Sequence, residues 1–278
     1  MSAVCCPADV LLAVCGAGGS GLRGVRSVSE ASAAEPITPR TPRPVARPLL
    51  VQEWRSASFI HWEADPARVA ALLPAGTRPD TLGGTTFVGL VPFRMRRMRL
   101  PLEPGVPCLR TFNETNVRLY SVDGAGRRGV VFRSLDAARL LPALIGRLGV
   151  RLPYVWSGVR LARDGDTRIY SCRRRIGATA VTSHAVVHVG DPVARPSRLE
   201  HFLTARWGIH VRWYSRTLYL PSEHPSWSLF RAELTEIDDG LIGAAGLPQP
   251  SGPPVSVLYS PGVPVRFGCP LTVHGVAA

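Results

Sequence analysis

Four side chains with chemical potential alternate along one short segment. In Asn113-Glu114-Thr115-Asn116-Val117-Arg118-Leu119-Tyr120 the polar residues are Glu114, Asn116, Arg118 and Tyr120, while Val117 and Leu119 sit between them. Alternate side chains of an extended strand share a face. A carboxylate, an amide, a guanidinium and a phenol therefore stand in one row. Such a row is either the wet outer face of an antiparallel sheet or the lining of a small polar pocket. In a pocket, the chemistry is that of a small organic anion. Arg118 would grip a carboxylate or enolate oxygen with its planar fork. Glu114 would give or take a proton, and Asn116 and Tyr120 would orient the ligand.

The remaining candidates are more scattered. Val130, Phe132, Ser134 and Asp136 share a face of the next strand, although Asp136 also reads as the N-cap of a following helix, and the cap is favoured. His61 lies in Phe59-Ile60-His61-Trp62, Tyr154 follows Leu152-Pro153, and Arg206 lies in Ala205-Arg206-Trp207. His224 and Trp227 occupy the turn His224-Pro225-Ser226-Trp227. A histidine beside aromatic residues is more often structural than catalytic. His184 and His188 share a face without a third ligand nearby, and there is no HExxH, so no metal is expected. The absence of GxSxG, of a Walker loop and of GxGxxG after a strand leaves no cofactor to expect.

Composition closes one class of mechanism. All 33 basic residues are arginine, and the chain contains no lysine. Schiff-base enzymes need an amine that can be desolvated and deprotonated, and arginine stays protonated. The replacement also fits a GC-rich genome. A net charge of +13 invites nucleic-acid binding. The arginines are scattered, however, with dense groups only at Arg94, Arg96, Arg97 and Arg99 and at Arg173 to Arg175, so nucleic acid is not the expected partner. Three functions stay open: a small-molecule-binding protein, an interaction or regulatory protein using Arg94 to Arg99, and a lysine-independent enzyme on a β-keto or related organic acid using Glu114 with His61 or His224.

These residues need a scaffold. Residues 1–49, rich in Ala, Gly, Pro and Arg, read as a disordered leader, residues 50–268 as one domain and 269–278 as a tail. Thr85 to Arg94, Asn113 to Val122, Gly129 to Asp136, Tyr154 to Arg163, Arg168 to Ile176, Val181 to Val189 and Ile209 to Tyr214 read as strands. Asp123-Gly124 and Asp164-Gly165 are hairpin signals between them. Helices are expected over Ala67 to Leu73 after the Asp65 cap, from Asp136 or Ala137 to Leu148, and over Arg198 to Ala205 after Ser197. The fold class is α+β: a β-rich, closed or nearly closed antiparallel barrel with a few short helices. Six cysteines without a CxxC imply neither a zinc site nor a disulfide framework. Val10 to Val14 is too short to span a membrane. A reduced, cytoplasmic setting is expected.

Taken in order, the segments resemble the YqjF-like family of uncharacterised bacterial proteins. The resemblance rests on Phe59-Ile60-His61-Trp62, Leu72-Leu73-Pro74, Phe87-Val88-Gly89-Leu90-Val91-Pro92-Phe93-Arg94-Met95, and Glu114 with Asn116-Val117-Arg118-Leu119-Tyr120. It continues through Gly129-Val130-Val131-Phe132, Ser134-Leu135-Asp136-Ala137, Leu152-Pro153-Tyr154, Leu199-Glu200-His201-Phe202-Leu203-Thr204, His224-Pro225 with Trp227, and Gly246-Leu247-Pro248. That family is similar to acetoacetate decarboxylase, which implies a cone-like barrel around a buried cavity and turns the Glu114 row inward. Acetoacetate decarboxylase works through a Schiff-base lysine, which this chain lacks. Ala205 stands where the family pattern has Glu, and Leu119 where Thr is more usual.

Overall fold

Runs of β-branched and aromatic residues with two-residue periodicity favour strands over helices, and the chain is folded mostly as strands. The computed structural model describes residues 32–99, 111–139, 151–175 and 180–273. Its strands are β1 (Leu50–Ala64), β2 (Thr77–Pro79), β3 (Thr86–Arg99), β4 (Thr111–Asp123), β5 (Arg128–Ala137), β6 (Tyr154–Asp164) and β7 (Thr167–Arg174). They continue with β8 (Thr182–Pro192), β9 (Gly208–Trp213), β10 (Arg216–Glu223), β11 (Phe230–Asp239), β12 (Ser256–Phe267) and β13 (Leu271–Val273). Three short helices, α1 (Pro66–Ala70), α2 (Arg198–Thr204) and α3 (Leu241–Ala244), complete the described elements.

Nine strands close a barrel in the order β5-β6-β7-β8-β11-β12-β1-β3-β4, and the β4–β5 pairing seals it. A second route, β5-β9-β10-β12, bridges the same wall on its other side. The barrel departs from the wholly antiparallel one expected, because β5 runs parallel to both β6 and β9. A parallel pair cannot be joined by a hairpin, and residues 138–153 supply the longer connection that β5 and β6 need.

Strand alternation sends side chains of the shared wall into two cores. Ile60, Leu90, Val117 and Leu119 join Val159, Tyr170 and Val187 inside the nine-strand barrel. Phe59, Phe93 and Tyr120 face the other way, against Phe202, Leu203, Ile209, Leu218 and Trp227. The Glu114 row therefore points toward the space closed by β9, β10 and α2.

Local signals placed two of the three described helices, α1 and α2. The Asp65 side chain accepts the Ala67 amide, and Pro66 starts α1, which stops at Ala70 rather than reaching Leu73. Ser197 and Glu200 form a complete capping box at α2. Asp136 and Ala137 belong to β5, so the helix expected to start there does not do so, and residues 140–150 lie outside the described residues.

The expected domain limits also shift. Residues 32–49 lie along the barrel: the Glu35 amide bonds Gly126 O at 2.9 Å, the Leu49 amide bonds Phe267 O at 2.7 Å, and Val45 is buried. Composition suggested a leader because this segment carries little apolar surface, and its anchoring is largely polar. Glu35 reaches both Arg43 and the Arg128 amide. Residues 271–273 of the expected tail pair with β10. Cys269 is disulfide-bonded, against the expectation of reduced cysteines. No helix among the described residues is long and apolar enough to cross a membrane.

Close packing predicts where small changes fail. A Cβ on Gly208 would lie 2.2 Å from the Tyr219 ring, whereas one on Gly252 meets nothing within 4 Å. Gly208→Ala should cost about 1–3 kcal/mol and Gly252→Ala less than about 0.5 kcal/mol, measured by urea unfolding. Equal midpoints for both variants would contradict this packing.

Candidate functional site

A helix ends with unsatisfied carbonyls, and those of α2 are buried in the second core. Each has a side-chain donor. Arg206 Nε donates to Phe202 O at 2.7 Å, and Trp227 Nε1 donates to Thr204 O at 3.0 Å. Leu203 O accepts twice, from Arg118 Nη2 at 3.1 Å and from the Tyr120 hydroxyl at 2.9 Å. Four of the sequence candidates thus converge on three consecutive carbonyls.

His61 completes this cluster from β1. Its Nε2 lies 2.6 Å from the Tyr120 oxygen. Since the phenol donates to Leu203, the imidazole N–H donates to the phenol. Burial drives the His61 pKa well below its ordinary value, and Arg118 and Arg206 push it the same way. Burial also raises the Tyr120 pKa. Both groups are neutral at pH 7. Gly89 makes room for them, because a Cβ there would stand 2.8 Å from His61 Nε2 and 3.3 Å from Arg118 Cγ. His224 lies beside the cluster, its ring tilted against Trp207 at 4.6 Å and near Trp227 at 5.2 Å. Its Nδ1 donates to Pro225 O at 2.7 Å, and burial lowers its pKa to about 4.

The two buried arginines of this cluster are treated differently. Arg206 pairs with Asp80, which also takes Arg128, and its guanidinium lies over the Tyr120 and Phe202 rings at 4.5 and 4.1 Å. Arg118 is 6% exposed and lies near the Phe59 and Tyr120 rings at 5.3 and 5.7 Å. Among the described residues no carboxylate lies within 4.0 Å of it, and its Nε has no hydrogen-bond partner.

The other end of the row forms a separate group. Glu114 is buried and hydrogen-bonded to the Tyr154 hydroxyl. Burial pushes its pKa up to about 8; the Tyr154 bond opposes the shift and nearby Asp136 reinforces it. Burial and Glu114 together raise Tyr154 well above the usual phenol value. Glu114 Oε2 and Asn116 Oδ1 are buried without hydrogen-bond partners. Glu114 makes no hydrogen bond to His61 or His224 among the described residues.

Asp136 stands on the opposite face. It lies across from Thr115 in the β4–β5 register and accepts Ser157 Oγ at 2.7 Å and Arg174 at 2.9 and 3.1 Å. It is the buried half of a two-point ion pair rather than a helix cap. Of the arginine group at 94–99, Arg97 is held by Glu53 and Arg94 by Asn113.

Sequence reasoning missed Asp80, whose importance comes only from the two arginines that reach it. It also missed Ser121, His210 and Asp123. Ser121 Oγ lies 2.8 Å from His210 Nδ1, and His210 Nε2 lies 3.3 Å from Asp123 Oδ2. This serine–histidine–aspartate string braces a hairpin: Asp123 also accepts the Ala125 and Arg127 amides. Burial opposes its ionisation, yet His210 and Arg127 hold its pKa down to about 2.

Comparison with known proteins agrees with the barrel. YqjF of Bacillus subtilis (strain 168) is 28% identical over 208 residues, covering 74% of this chain and 86% of that protein. An acetoacetate decarboxylase-like enzyme from Sphingomonas wittichii RW1 superposes with a TM-score of 0.59 at 15% identity, over 84% of this chain and 97% of that one. The enduracididine biosynthesis enzyme MppR, complexed with pyruvate, gives 0.56 at 14% identity, over 83% and 93%. At such identities the likeness is one of fold, which is acetoacetate decarboxylase-like, as the resemblance to the YqjF-like family implied. With its residues 51–264 matching the family model, the chain belongs to DUF2071, a family of uncharacterized conserved proteins.

Proposed function

We propose that this protein binds a small organic anion non-covalently, with Arg118 as the anion's handle. The observation that carries the reading is a buried guanidinium without a carboxylate. A charge removed from water costs several kcal/mol even after relaxation. The carboxyl end of α2 offsets part of that through its carbonyl dipoles, one of which, Leu203 O, Arg118 itself bonds. Neighbouring Arg206 carries the same sign and is itself neutralised by Asp80. A ligand carboxylate would supply the missing partner, and MppR, which shares the fold, is complexed with pyruvate. Because this chain has no lysine, no imine can form with such a ligand.

Glu114 supports a proton-donating role at the other end of the row. A carboxyl with a pKa near 8 is mostly protonated at pH 7. Arg118 lies four residues further along the strand, about 13 Å away. One ligand meets both groups only if it spans that length, so anion binding is the primary assignment and acid chemistry depends on a longer ligand. Trp227, His224, Tyr120 and His61 shape the Arg118 end.

Two outcomes test this reading. Small molecules released from denatured wild-type protein should include an organic acid, and folded Arg118→Gln should retain at least tenfold less of it by mass spectrometry. Equal retention would remove Arg118 from the binding role. The second outcome concerns pH. Glu114 has a folded pKa above its unfolded one, so its share of stability is fully present below about pH 4.5 and declines as pH rises toward 8. The slope is about 1.4 kcal/mol per pH unit across that window. Urea midpoints of Glu114→Gln should therefore fall less steeply than wild type between pH 5 and 8; parallel curves would mean that Glu114 is not held protonated.

A further inference from the structure

A third buried arginine, Arg168, borders a groove away from the Arg118 cluster. The groove, of about 480 Å³, is lined by Arg163, Asp166, Arg168, Asp191, Phe230 and Tyr259, with Val189 and Pro261 in its walls. Arg168 belongs to β7, and its side chain stands on the same strand face as Tyr170. It is only 5% exposed, yet no carboxylate lies within 4.0 Å of it among the described residues. Its Nη1 donates to Gly165 O at 2.9 Å and Thr167 O at 3.1 Å, its guanidinium lies 4.8 Å from the Tyr259 ring centre, and its Nε has no partner.

The groove's chemistry is selective. The Phe230 and Tyr259 rings meet edge to face at 6.3 Å, giving flat apolar walls beside the guanidinium. Arg163 adds a second positive charge at the rim. Asp166 and Asp191 are exposed and form no ion pair with an arginine among the described residues. Two cations and two anions leave the lining without net charge, so a polyanion gains little there. A single carboxylate beside Arg168 would still satisfy a desolvated charge. We propose that this groove binds a small monocarboxylate with a flat apolar body, its carboxylate on Arg168 and its body between Phe230, Tyr259 and Pro261.

The test uses the ¹⁵N-labelled full chain, with phenylacetate as the probe, phenylacetamide as its uncharged twin and citrate as the polyanion. Gly190 lines the groove and Gly89 packs against Arg118, so their amide signals report the two sites separately. Phenylacetate should shift Gly190 saturably, with phenylacetamide and citrate at least tenfold weaker there. Arg168→Gln should weaken the Gly190 response at least tenfold. Because that variant removes a buried residue, Phe230→Ala, which only trims the half-buried wall, should weaken it several-fold with Arg168 intact. The proposal is overturned if acid and amide act alike at Gly190, or if phenylacetate binds a folded Arg168→Gln or Phe230→Ala as it binds wild type. Failure of anion binding at Arg118 would show at Gly89 and leave the Gly190 response in place.

Discussion

Burying the carboxyl end of α2 inside the second core imposes a demand that much of the surrounding structure answers. Carbonyls taken out of water must be hydrogen-bonded, since a buried polar group left unpaired costs about 1–3 kcal/mol. Phe202, Leu203 and Thr204 belong to three different directions of approach, and donors arrive from β4, from the segment after α2 and from the turn at Trp227. Tyr120 and Arg118 can reach Leu203 only because alternation turns both toward α2, and His61 reaches Tyr120 only because Gly89 has no side chain. Helix, strand row and glycine are thus one solution to one desolvation problem.

That solution brings cations into the interior, and their compensation is unequal. Arg206 has Asp80, and Asp80 in turn holds Arg128, whose backbone and side chain bind Glu35 in the segment before β1. A chain of charge pairs therefore runs from the core to residues that composition suggested were unfolded. Arg118 has ring faces and a helix end instead. A helix terminus contributes about half a unit charge, which reduces the cost of a full guanidinium charge without cancelling it. This residual imbalance, set in an acetoacetate decarboxylase-like fold without lysine, is what makes anion binding the economical reading.

Much of this was legible in the sequence, and the limits follow from distance along the chain. Local rules found Asp65, the Ser197–Glu200 capping box and most strands, because each depends on residues a few positions apart. Period-two alternation put Glu114, Asn116, Arg118 and Tyr120 on one face, and the many strands at hairpin spacing predicted a closed or nearly closed sheet. Contacts between distant segments were invisible: Arg118 with Leu203 is 85 residues apart, and Arg206 with Asp80 is 126. Asp136 read as a cap because its partner Arg174 lies 38 residues on. The row itself proved less unified than its spacing suggested, since a straight strand carries its two ends to different surroundings.

Those two ends show how the same strand buries charge in two ways. Glu114 forms no ion pair among the described residues, so its ionised form is the expensive one, and burial pushes its pKa up to about 8. Arg118 has no such escape, because a guanidinium does not lose its proton in this range, and the proposed ligand carboxylate is the counter-charge it lacks among the described residues. A carboxyl at one end is therefore self-sufficient as a neutral acid, while the guanidinium at the other end is incomplete without a partner. Had lysine occupied position 118, burial could have neutralised it and produced a nucleophilic amine. Arginine there rules out that chemistry, and the proposed anion binding rests on the charge it retains.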